Sequence, residues 1–237
     1  MASERGGVFG YPFGGADREE PVVVGWILVL LAVVPLGSLA PVLGVLAYLW
    51  PAVPLVPFVG YLVRVLGASV DGDAAPSVRE RPLALVRNGA AGSAIAAAYL
   101  LVPLAALAIT VYGAIWSSAT PDMDFTGSLA VYGGSTVVLC LFIAGTYLVP
   151  AALTIYAGSG SVRSAFSPGE IRPVALHAAY FARWTAGAVT FSMGVSLANV
   201  IGQAPRIGPV LGALVAAYGS ILACHVWGRA VAVARSR

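Results

Sequence analysis

Groups able to do chemistry are few in this chain of 237 residues. There are two histidines, His177 and His225, and two cysteines, Cys140 and Cys224. A nucleophilic enzyme needs a serine or cysteine with a base held beside it. The serines are scattered, and neither histidine stands in a recognisable motif. Metal binding needs clustered His, Cys or carboxylate ligands, and these two pairs are distant from one another. Both cysteines fall inside apolar runs, where cysteine acts as a small packing residue rather than as a disulfide or metal partner. Gly158-Ser159-Gly160 lacks the flanking strand and lysine of a phosphate loop. No catalytic, cofactor-binding or metal residue is assigned, and the expectation is a protein that is not an enzyme and carries no cofactor.

Polar groups inside a membrane span are costly and are therefore default functional candidates. No carboxylate lies in any of the spans delimited below. Asn199 and Gln203 share a helix face and suit an interhelical hydrogen bond or an outer-turn cap. His225 lies one turn before Arg229, and its placement favours the interface over a proton relay. His177 precedes a span and reads as a loop residue. Arg64 and Arg183 should snorkel to the inner interface, with an anionic substrate or lipid headgroup as the functional alternative. Arg64, Arg183, Asn199, Gln203, His225 and Arg229 are the candidate polar positions.

The elements that hold these residues are membrane spans. The chain is 59% hydrophobic and 10% charged, with mean hydropathy +0.89, whereas soluble domains carry about 25% charged residues. Pro21–Val63 holds 43 residues without Asp, Glu, Lys, Arg or His, and Pro35, Pro41, Pro51, Pro54 and Pro57 divide it. One straight helix of that length would run roughly 65 Å, against a hydrocarbon core of about 30 Å. Either the stretch crosses twice, turning at Pro35–Pro41, or it crosses once and re-enters. Pro51, Pro54 and Pro57 are expected to kink or break the second arm. The fold class is all-α, a polytopic transmembrane helix bundle of about six spans at 22–36, 41–66, 93–117, 128–156, 178–202 and 208–231. Five spans plus a re-entrant segment is the alternative. Residues 1–20 form a flexible cytoplasmic tail and 21–237 a single transmembrane domain. A short interfacial helix is expected to start near Pro82, and Ser164–Phe166 to form an interfacial turn. Pro103 should kink its span, and the long span at 128–156 should tilt or bend at Pro150.

The net charge of +3 is not a nucleic-acid signal, because the charges fall at span ends, where they set orientation. With six crossings, twelve of the thirteen basic residues, all arginine, share one side, and Arg206 stands alone on the other with Asp122 and Asp124. This asymmetry favours the opening hairpin and places both termini in the cytoplasm. Helices in lipid associate by close backbone approach between small residues. Gly208, Gly212, Ala216, Ser220, Cys224 and Gly228 recur at steps of four, as do Gly194, Ala198 and Gly202. The last two spans are therefore expected to pack closely on each other.

Several pieces resemble a known family: Tyr11-Pro12-Phe13 before the first span; Gly60-Tyr61-Leu62-Val63-Arg64-Val65-Leu66 followed by Asp71-Gly72-Asp73; Pro150-Ala151-Ala152-Leu153 before Ala165-Phe166; and His225-Val226-Trp227-Gly228-Arg229-Ala230. Together they are similar to haloarchaeal multi-span membrane proteins catalogued only as a domain of unknown function (DUF4013-like). The resemblance implies an archaeal polytopic membrane protein and no assigned activity. The expected role is a scaffold or assembly protein of the cell membrane acting through helix packing. Its partners would be the lipid bilayer and a second copy or another membrane protein. A transporter or channel component with a site near Pro51–Pro57 is the rival reading.

Overall fold

The computed structural model describes residues 8–14, 19–34, 44–78, 82–118 and 125–236. Among them every regular element is helical. A 3-10 turn at Val8–Phe13 precedes α1 (Glu20–Val33). A second at Gly44–Leu49 leads into α2 (Ala52–Asp71). Then come α3 (Pro82–Ser118), α4 (Phe125–Ser159), a 3-10 turn at Ser164–Phe166, α5 (Pro168–Ala175), α6 (Ala178–Gly202) and α7 (Gly208–Arg235). This is the all-α helical bundle expected. The turn at Pro35–Pro41, Arg79, Arg81, and the loop bearing Asp122 and Asp124 lie outside the described residues.

Among the described residues, five segments are long and apolar enough to cross a membrane: 44–71, 82–113, 133–159, 178–202 and 208–235. The first arm is shorter. With 14 residues, α1 extends roughly 21 Å at about 1.5 Å per residue. It nevertheless runs antiparallel along α7, with Gly25 beside Ala217 and Ile221, and Val29 packed with Ala213. The Trp26 indole donates to the Val210 carbonyl at 2.8 Å, and the Trp50 indole donates to the Leu31 carbonyl at 2.8 Å. The end of α1 thus meets the start of α2, and the two form a hairpin.

Three details differ from the sequence reading. The prolines break the second arm at one point only, Pro51, where the 3-10 turn Gly44–Leu49 gives way to α2, and α2 itself is unbroken. Pro51 stands at its N-cap and Pro54 in its first turn, where no intrahelical N–H bond is lost, leaving only Pro57 well inside. The interfacial helix expected near Pro82 is not separate, because α3 runs unbroken for 37 residues. Gly89, a natural place to stop, is instead used for packing. And α5 was not foreseen, although Ser167-Pro168-Gly169-Glu170 has the residues of a helix start.

The helices approach through glycines. A Cβ on Gly60 would overlap the Leu85 carbonyl, and one on Gly89 the Val56 carbonyl, so α2 and α3 cross backbone to backbone. Between α6 and α7, a Cβ on Gly194 would lie 3.1 Å from Gly219 Cα, and one on Gly212 would lie 2.7 Å from the Ala198 carbonyl. The stripe on α7 does not face one neighbour throughout. Steps of four advance about 40° beyond a full turn in a helix of 3.6 residues per turn. Gly208 and Gly212 therefore meet α6, Ala216 packs with the α1 cluster, and Cys224 joins the cluster containing Tyr61. By Gly228 the stripe faces α2, where an added Cβ would lie 2.7 Å from the Leu66 carbonyl. Ser220, inside the stripe, bonds back to the Ala216 carbonyl at 2.7 Å.

Candidate functional site

The close approach at Gly228 brings the C-terminal part of α2 against α7. Ser69, fully buried, then faces His225 across the interface. Ser69 Oγ and His225 Nδ1 are 2.9 Å apart, and Ser69 Oγ also donates to the Tyr11 hydroxyl at 3.2 Å. The Tyr11 ring stacks on the His225 imidazole, with centroids 3.7 Å apart and planes at 18°. Tyr11 comes from the stretch expected to be a flexible tail. Its 3-10 turn buries Tyr11 and Pro12. It is held by α7 again, where the Tyr218 hydroxyl donates to the Phe9 carbonyl at 2.6 Å and packs near the Phe13 ring. Tyr218 and His225 are seven residues apart, two turns on one helix face. Burial raises the Tyr11 phenol above its ordinary value, while the Ser69 bond works in the opposite direction. Tyr11 is therefore neutral near pH 7.

Tyr61 lies in the same buried cluster as Tyr11, Val65, Leu66 and Cys224. Its hydroxyl is buried and has no hydrogen-bond partner among the described residues. Nearby, Glu20 at the start of α1 accepts from Ser77 Oγ at 2.9 Å. Arg229 extends a guanidinium nitrogen to the left-handed Gly72 that ends α2. A cation there complements the exposed carbonyls of a helix C-terminus.

The predicted polar residues divide among three places. His225 is in the buried centre, and Arg64 is half-buried on α2 one turn after Tyr61. Arg183 and Arg229 meet, the Arg183 guanidinium donating to the Arg229 carbonyl at 3.4 Å. Asn199 and Gln203 line a groove of about 280 Å³ at the other end of the bundle, with Val29, Val33, Pro209 and Gly212. His177, read as a loop residue, caps α6, its Nδ1 accepting from the Ala179 amide at 3.2 Å. It also lines a groove of about 510 Å³ with Cys140, Tyr147, Phe181 and Trp184. The polar atoms of these rings are tied to backbone: Tyr147 to the Ala175 carbonyl, Trp184 to the Thr146 carbonyl. That groove therefore presents mainly carbon.

Chemically, a serine hydroxyl beside an imidazole is the first element of a nucleophile and base. Here Ser69 is fully buried and its hydroxyl is already engaged by Tyr11, so the arrangement is a closed polar centre. Both cysteines are free, Cys140 exposed and Cys224 buried. Among the described residues no three metal-ligating side chains gather. Sequence reasoning missed Tyr11, Tyr61 and Ser69. The available signal was a Tyr-Pro-Phe cluster in an otherwise glycine-rich tail; nothing local marked Ser69.

Helices that could cross a membrane, meeting in a small polar centre, define an all-α helical bundle. The chain belongs to the family described as a protein of unknown function (DUF4013), whose model matches residues 42–204, more than half of the 237. The match leaves α1, α7 and the Tyr11 turn outside it. No curated protein and no solved structure matches the chain.

Proposed function

We propose that the protein is a non-enzymatic scaffold or assembly component of the cell membrane, with both termini cytoplasmic. It acts through lateral contacts of its helices with lipid and with another membrane protein or a second copy. The observation that supports this reading is the state of α6. Of its 25 residues, only Tyr180 and Gly187 are buried. Phe181, Val189, Met193, Val195, Leu197 and Val200 are exposed along it. A 25-residue apolar helix fixed mainly to one neighbour offers most of its circumference to other molecules. The arginine distribution supports the orientation.

The rival reading, a transporter with a site at Pro51–Pro57, has less behind it. Those prolines sit at the start of α2, with only Pro57 well inside it. The grooves at Cys140–Trp184 and Asn199–Gln203 are lined by other elements.

A photo-crosslinking amino acid in place of Met193, irradiated in native membranes, tests the scaffold reading. A discrete protein adduct is expected, and it should vanish when the probe is moved to buried Ala217. Adducts with lipid alone would sink the proposal.

A further inference from the structure

The Tyr11 side chain sits between α2 and α7 in the manner of a ligand. Its ring face is read by the His225 imidazole at 3.7 Å, and its hydroxyl by Ser69 at 3.2 Å. We propose that this pocket is a binding site for a hydroxylated aromatic ring, a phenol or quinol, and that the Val8–Phe13 turn is its built-in competitor.

Three observations carry the inference, and none depends on the scaffold reading. First, the turn is lightly held. It is a six-residue 3-10 segment in which Val8, Phe9 and Phe13 are 46%, 74% and 43% exposed, and only Tyr11 and Pro12 are buried. Its fastening beyond Tyr11 includes one hydrogen bond, from Tyr218 to the Phe9 carbonyl. Second, the cluster around Tyr11 contains hydrogen-bonding capacity that Tyr11 leaves unused. The Tyr61 hydroxyl is buried and unpartnered among the described residues, a costly state for a polar group. A ring with a second oxygen offers it a partner. Third, the charges around the pocket are mixed, Glu20 and Asp73 against Arg64 and Arg229. Such a surround favours a neutral polar ring over a net anion or cation. Aromatic rings with one polar edge also accumulate at the membrane interface.

Because an intramolecular competitor acts at a high effective concentration, the site is best read with and without Tyr11. In the full-length Tyr11→Ala protein, p-cresol, the tyrosine side-chain analogue, should raise the melting temperature saturably. Toluene, which lacks the hydroxyl for Ser69, should bind at least tenfold more weakly. In the wild-type protein, hydroquinone should speed amide hydrogen exchange in residues 8–14 several-fold, as the turn leaves, and Ser69→Ala should abolish that response. A hydroquinone bearing a decyl tail, tested in lipid nanodiscs, separates the sources: tighter binding than the tailless ring indicates a bilayer-borne ligand, and equal binding an aqueous one. Equal stabilisation by toluene and p-cresol, no stabilisation of folded Tyr11→Ala, or unchanged exchange in the wild type at any hydroquinone concentration would each overturn the proposal. Should Tyr11→Ala fail to fold, wild-type exchange with hydroquinone against toluene decides alone.

Discussion

Helices α6 and α7 run for 25 and 28 residues, are joined through Gln203–Ile207, and both carry small residues at steps of four. Two residues of α6 are buried, whereas thirteen of α7 are. Composition does not separate them; position does. Gly212 and Gly194 let the two helices touch each other. Only α7 has the longer stripe, which turns as it proceeds and so greets α6, α1 and α2 in succession. A short run of small residues builds one interface. A long run at the same step builds several, because the stripe winds around the helix.

The contrast can be broken at graded cost. Gly60→Val or Gly89→Val places methyl groups where the opposing backbone already lies. Either should lower stability on the order of 4 kcal/mol or abolish the folded bundle, read by circular dichroism melts in detergent. Gly212→Ile pushes on the Ala198 carbonyl and should cost about 2–3 kcal/mol. Its mark is local: hydrogen exchange should rise across 178–202 and stay unchanged across 52–71. Uniform change in both would mean that α6 is not a separable appendage. Trp26→Phe removes the bond to the Val210 carbonyl and should cost about 1 kcal/mol, loosening α1 against α7. Val195→Ala on the exposed face of α6 should move stability by no more than about 0.5 kcal/mol. A larger loss in native membranes than in detergent would expose a partner bound there.

Much of the bundle is legible because its long helices are continuous apolar runs, which are easily read. The limits of α6 matched to the residue, since Gly202 and the turn after it punctuate the chain. Of the three prolines in the second arm only Pro51 marks a break, because a proline's effect depends on whether it falls at a helix start, and an apolar sequence hides that start. Glycine was under-read: Gly60 and Gly89 carry the tightest crossing, yet they stand 29 positions apart with no periodic neighbour to flag them. The polar centre was the least legible. Tyr11, Ser69 and His225 come from three distant segments: the Gly228 approach brings Ser69 to His225, and the Tyr218–Phe9 bond helps set Tyr11 over them.

The hairpin of α1 has a consequence for the order in which the protein is made. The Gly60–Gly89 crossing joins neighbouring helices and is available as soon as α3 leaves the ribosome. The main face of α1, by contrast, rests on α7 through Gly25, Val29 and Trp26, and the Tyr11 turn rests on Tyr218 and His225. α1 can therefore meet α2 early, but its packing is complete only once α7 is in place. The Val8–Phe13 turn can dock only where α2 and α7 have already met, so its arrival reports that this pair of helices is assembled.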